Sequence, residues 1–215
     1  MTITKATINK NYREIVKRKS GAKFVKVDLH VHTPASGDAQ AKNKYNFKYN
    51  GENIPDSLVK AEQLAKDIVD GILQKGIRLI AVTDHNTPSN TDPQDLTNTW
   101  YELLKKESIG KGLTVLPGVE ISTDDLHLLV ILDPKENEPT AYTTHRINFL
   151  LRDCKFSIDD YGDYKATGGS SLFDVLEYVE GLSTSGIAIP AHIDGGKKAM
   201  LAVYKGPTNV FKKSC

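Results

Sequence analysis

Along the chain, short apolar runs alternate with longer stretches in which apolar residues recur every three or four positions. The first run, about Phe24 to Val31, carries β-branched and aromatic bulk and reads as a buried strand; Pro34, Ser36 and Gly37 break the pattern after it. Asp56-Ser57 can cap a helix through Leu58, Leu64, Ala65, Ile68, Val69 and Ile72, whose spacing suits one buried face and which Gly76 ends. A nearly all-apolar strand, Ile77 to Val82, follows. Asn90 to Leu96 is a turn-rich connector into a second helix, roughly Leu96 to Glu107, with Trp100, Leu103 and Leu104 on its apolar side. Strands at Leu113–Ile121 and Leu126–Leu132 flank a tight turn at Thr123-Asp124-Asp125. Helices are predicted at Tyr142–Cys154 and Ser171–Glu180, with a Gly/Ser/Asp-rich loop, Ser157–Ser170, between them. A strand at Ile187–Ala191 and a weak helical pattern at Ala199–Tyr204 complete the series. Strands alternating with amphipathic helices are an α/β signature with a parallel sheet.

Composition changes this picture little. The 215 residues suffice for one sizeable domain, and 26% charged residues with a net charge of +1 exclude a protein that binds nucleic acid by bulk charge alone. Basic residues gather early (Lys5, Lys10, Arg13, Lys17, Arg18, Lys19, Lys23, Lys26), and residues 1–22 read as a solvated, partly helical extension ahead of a domain spanning 23–215. That extension lacks the apolar core of a signal peptide, and no run is long enough to span a membrane, so the expected location is the cytoplasm. Cys154 and Cys215 offer neither a disulfide framework nor a CxxC zinc site.

The candidate chemistry sits at the predicted strand ends. His30 and His32 are two apart, so in a strand they project to one face, as a metal ion requires of two imidazoles. Asp84-His85 follows the second strand, Glu120 lies at the end of the third, and His192 follows the last. His127 opens the fourth strand and needs only the short reversal after Glu120 to face the same mouth. Five of the six histidines share this placement, His145 on a helix being the exception. In α/β folds the loops at strand C-termini converge on one mouth. Histidines with a carboxylate and no thiolate suit zinc, manganese or iron, and a carboxylate has two oxygens with which to bridge two ions. Two or three clustered ions would activate water and clamp phosphoryl oxygens.

These residues resemble the motifs of the polymerase and histidinol phosphatase (PHP) family. Asp28-Leu29-His30-Val31-His32-Thr33, with Ser36 and Asp38 behind it, is similar to its first motif, and Val82-Thr83-Asp84-His85-Asn86 to its second. Gly118-Val119-Glu120 followed by His127-Leu128-Leu129 resembles the third, and Pro190-Ala191-His192 the next. The order and spacing agree over about residues 24–195. The resemblance implies a distorted seven-stranded (β/α) barrel with three metals at the strand C-termini. His30 and His32 would hold one metal, which Glu120 would bridge to a second bound by His127 and His192. Asp38 and His85 would hold the third, with Asp84 orienting a histidine ligand. Glu120, His192 and Asp84 are the residues expected to carry catalysis.

One departure shapes the expectation. The family closes its barrel with a final Asp-x-His, but no histidine follows His192, and Asp194 is too near it to serve from another strand. The expected fold is therefore an incomplete (β/α)7 barrel, either a piece of a longer protein or a shortened version with an open edge. The early residues, the insert after Asp38 and the Ser157–Ser170 loop further resemble PHP domains fused to a large AAA-like ATPase. The implied function is phosphoester hydrolysis with two or three divalent ions, on a phosphorylated small molecule or a nucleic acid, within an ATPase or DNA-repair protein. The alternatives are a non-catalytic accessory module of the same fold and an amidohydrolase-like reaction. The latter would want a lysine and a last-strand aspartate that are not placed here. Gly168-Gly169-Ser170-Ser171 lacks the lysine of a phosphate-binding loop.

Overall fold

Ile77–Val82 (β2) carries almost nothing but aliphatic side chains, and in the computed structural model it is flanked by neighbours on both sides. The structure describes residues 24–37, 58–92, 95–134, 140–182, 186–192 and 200–203. The basic extension, the insert after Asp38, the Asp56-Ser57 cap and Asp194 lie outside them. The fold is mixed α/β, with a sheet of five strands that curls as an open half-barrel. β1 (Lys26–Val31), β2 and β5 (Thr114–Ser122) run parallel in the order β1-β2-β5, continued by β6 (His127–Leu132) and β7 (Gly186–Pro190). A separate antiparallel pair joins β3 (Asn90–Asp92) to β4 (Asp95–Thr99). The five-stranded curled sheet agrees with an incomplete barrel, and the β3–β4 pair lies apart from it.

β6 departs from the all-parallel expectation. Thr123 to Leu126 is far shorter than the dozen or more residues a parallel crossover needs, so the chain reverses as a hairpin. Thr123 clasps it: its N–H donates to the Leu126 carbonyl at 2.9 Å and its Oγ1 accepts from the Leu126 N–H at 2.9 Å. β7 is antiparallel to β6 and so regains the direction of β5. Gly118 lets the hairpin strands close, since a Cβ there would stand 2.7 Å from the Val130 carbonyl oxygen.

Helices cover one face in two groups. α1 (Leu58–Gln74) and α2 (Trp100–Ser108) bury Ala65, Val69, Trp100 and Leu104 against Ile80 and Val82 of β2. α3 (Thr140–Asp153) and α4 (Leu172–Gly181) bury Leu150, Leu151 and Val175 against Val119, Ile121, Leu128 and Val130. α5 (Met200–Val203) is one short turn. α2 begins later than its periodicity predicts, because residues 95–99 pair with β3 and Thr99 then caps the helix. Thr99 Oγ1 accepts from the Glu102 N–H at 3.2 Å, while the Glu102 carboxylate accepts from the Thr99 N–H at 3.3 Å.

β1 also differs from expectation. Its apolar run predicts burial, but Phe24, Val25 and Val27 are exposed. β1 is an edge strand, and no strand among the described residues pairs with its outer side. Its final residues turn inward, where Val31 packs against the α1–α2 core.

Candidate metal centre

Alternation places the site on the sheet face opposite the helices. In β5, Val119 and Ile121 face α3 and α4, so Glu120 between them points the other way. Ser122 pairs directly with His127 across the hairpin, and directly opposed side chains share a face. In β1, Val31 faces the helices, which sends His30 and His32 to the face of Glu120. His85 follows β2 and forms an isolated parallel bridge with Glu120.

The Glu120 carboxylate is fully buried at the centre of four imidazoles. Its Oε2 lies 2.8 Å from His30 Nε2, 3.2 Å from His32 Nε2 and 3.4 Å from His85 Nδ1, and its Oε1 lies 2.9 Å from His127 Nδ1. Burial pushes this carboxyl up. Hydrogen bonds from His127, His30 and His32 and the charge of His85 outweigh that and hold it well below the usual carboxylate range. Glu120 is therefore an anion in the folded protein.

The donor set fits a divalent ion. His30, His32 and Glu120 bring ligand atoms within 4.8 Å of one another, and so do His85, Glu120 and His127. Each group offers two imidazole nitrogens and a carboxylate oxygen, and Glu120 belongs to both. Nitrogen and oxygen donors without sulfur suit zinc, manganese or iron. His85 thus stands with His127 here, whereas the PHP resemblance implies a pairing with Asp38, which lies outside the described residues.

The remaining candidates are peripheral. His192 joins neither group, although its ring centroid is 5.5 Å from that of His30 and 6.2 Å from that of His127. It is exposed and adopts φ 55°, a left-handed backbone state that is uncommon for a residue other than glycine. Asp84 is buried and touches no histidine: its carboxylate accepts from the Thr33 N–H and from Thr33 Oγ1, the latter at 2.6 Å. It thereby fixes the backbone immediately after His32. His145 is exposed on α3, away from the sheet face.

No family model matches the chain, and no curated protein matches it. Among solved structures, the chain is similar to a proposed metal-dependent phosphoesterase from Bifidobacterium adolescentis, with 15% identity and a TM-score of 0.44. That match covers 82% of this chain and 71% of the other. It is also similar to an amidohydrolase from Chromobacterium violaceum solved with sulfate and no metal, with 17% identity, a TM-score of 0.40, and coverage of 80% and 70%. Likeness of this degree leaves the chemistry to be argued from the residues themselves.

Two polar residues of the site escaped the sequence reading as supports. Ser36 Oγ lies 2.7 Å from His32 Nδ1 and accepts from the His85 N–H at 3.1 Å, so one hydroxyl ties two candidate ligands together. Asn86 binds across to β5 and to the loop before α4. The only early signal was that both stand inside the motif stretches, because their partners are far away in sequence.

Proposed function

We propose that this chain is a metal-dependent phosphoesterase domain of PHP type, hydrolysing a phosphomonoester or a nucleotide or nucleic-acid phosphodiester, within a larger ATPase or DNA-processing protein. The observation that carries the proposal is that one buried carboxylate, Glu120, is common to two groups of histidines. Divalent ions held there would supply Lewis acidity, activating water and neutralising phosphoryl oxygens. His30 and His32 would hold one ion with Glu120, and His127 and His85 another, with Asp38 completing a third site beside His85. Ser36 keeps His32 and the His85 backbone in register, and Asp84 does the same for the turn after His32 through Thr33. His192, exposed after β7, would complete the His127 side or hold a proton for the reaction.

The test joins elemental analysis to hydrolysis of p-nitrophenyl phosphate and bis(p-nitrophenyl) phosphate. Glu120→Gln should release metal from both groups and lower turnover by more than about a hundredfold, beyond the range typical of groups that only support a ligand. Only trace metal after expression in supplemented medium, or equal turnover without Glu120, would sink the proposal. Metal retained with no turnover of either ester would favour an accessory module of the same fold.

A further inference from the structure

Asn86 lies next to a candidate ligand yet binds none of the site's imidazoles. It is buried and has φ 48°, so its side chain leaves the end of β2 in an unusual direction. Its Nδ2 donates to the Asp163 carbonyl at 2.9 Å, the Ala166 carbonyl at 3.2 Å and Ser122 Oγ at 3.2 Å, while its Oδ1 accepts from the Ser122 N–H at 2.8 Å. The same loop is fastened twice more. The Gly162 N–H donates to the His85 carbonyl at 2.9 Å, and the Gly162 carbonyl accepts from the Gly37 N–H at 2.8 Å. Residues 161–166 are therefore sewn to the ends of β1, β2 and β5. The side chain left uncovered by this stitching is Tyr164, half-exposed, with its ring centroid 6.1 Å from that of His85. Lys165 Nζ stands 5.4 Å from the Tyr164 ring centroid, adding a cation to the same surface.

We infer that residues 161–166 form a substrate-facing wall, held by Asn86 as a positioning residue, and that Tyr164 on it selects phosphoesters whose alcohol carries a planar ring. The phosphoester part of this inference rests on the proposed function. The wall itself rests on the contacts above: an aromatic face with a cation beside it suits a ring attached to an anion.

The experiment titrates the metal-loaded full chain with phenylphosphonate and with methylphosphonate, whose P–C bonds keep them intact. Wild-type protein should bind the phenyl compound roughly tenfold more tightly, which corresponds to about 1.4 kcal/mol. Tyr164→Ala should erase that preference and leave methylphosphonate binding unchanged. Asn86→Gly keeps the positive φ without steric cost. It should also erase the preference and speed amide exchange across 161–166. If Asn86→Gly does not fold, Asn86→Asp keeps the Oδ1 acceptor, loses the donors and gives the same reading. Equal binding of the two phosphonates by wild type, or a preference that survives Tyr164→Ala, overturns the wall. Unchanged exchange, or a preference that survives in the Asn86 variant, overturns its positioning role. The expected phosphonate pattern without turnover of p-nitrophenyl phosphate keeps the wall and removes the hydrolase reading, whereas turnover without the pattern does the reverse.

Discussion

The centre and the edges of the sheet are built from the same residue types but live in different surroundings. Ile80, Val119, Ile121 and Val130 in the middle strands are wholly buried, whereas Val27 in β1 is 45% exposed and Ile187 in β7 is 53% exposed. Burial of an aliphatic side chain depends on what lies over it, and only the middle strands have a neighbour on each side and helices above. The candidate site spans this divide. His85, Glu120 and His127 hang from the rigid middle, while His30, His32 and His192 hang from the edges.

The largest expected effect sharpens the contrast. Leu128→Ala, in the centre, should cost about 3 kcal/mol through lost burial and a residual cavity. Val27→Ala at the edge should cost less than about 0.5 kcal/mol, as exposed substitutions do. Urea titration of both variants measures the gap, and equal costs would break the comparison.

A second change probes where the edge becomes firm. β1 starts exposed but ends pinned, because Asp84 grips Thr33 one residue beyond His32. Thr33→Val removes the hydroxyl and leaves a buried carboxylate oxygen without its donor, at a cost of about 2 kcal/mol. Metal content should fall at the His30–His32 group before it falls at His85–His127. Parallel loss from both groups would show that edge and centre act as one unit.

The smallest effect lies deep in the core beneath α3. Burial, with the Asp153 and Asp174 charges adding to it, pushes the Cys154 thiol up to about 12. The unfolded thiol ionises near its ordinary value of about 8.5. The folded pKa is the higher, so this contribution is complete below the unfolded value and is lost as pH rises through about 9 toward 12. Alkylation of Cys154 at pH 8 should be slow in native protein and fast in urea. Rapid native labelling would mean that this core opens as readily as the edges.

The legible part of the site was its ligand chemistry. His30, His32, His85, Glu120 and His127 announced themselves because strand alternation and strand ends are local patterns, and the structure brings all five together. Exposure of Phe24 and Val27 was not legible, since a buried strand and an edge strand can share one apolar string. The β3–β4 pair was missed because its polar residues carry no apolar alternation, so the helical spacing after Leu96 prevailed until the Thr99 cap set the true start. Nothing in the motif around Asn86 indicates its partners. Its bonds reach 36, 77 and 80 residues away, and nothing beside it in sequence points there.

The reversal of β6 within the five-stranded sheet also sets how far the chain must travel to build the site. Glu120 and His127 are only seven residues apart, joined by one hairpin, whereas His30 must close a loop of 90 residues to reach the same carboxylate. The entropy of closure differs by about 2 kcal/mol between loops of those lengths. Hairpins form in roughly 1–10 microseconds, well ahead of long-range parallel pairing. The β5–β6 turn therefore makes the Glu120–His127 contact a local product of the chain, whereas β1 must reach the same carboxylate across 90 residues.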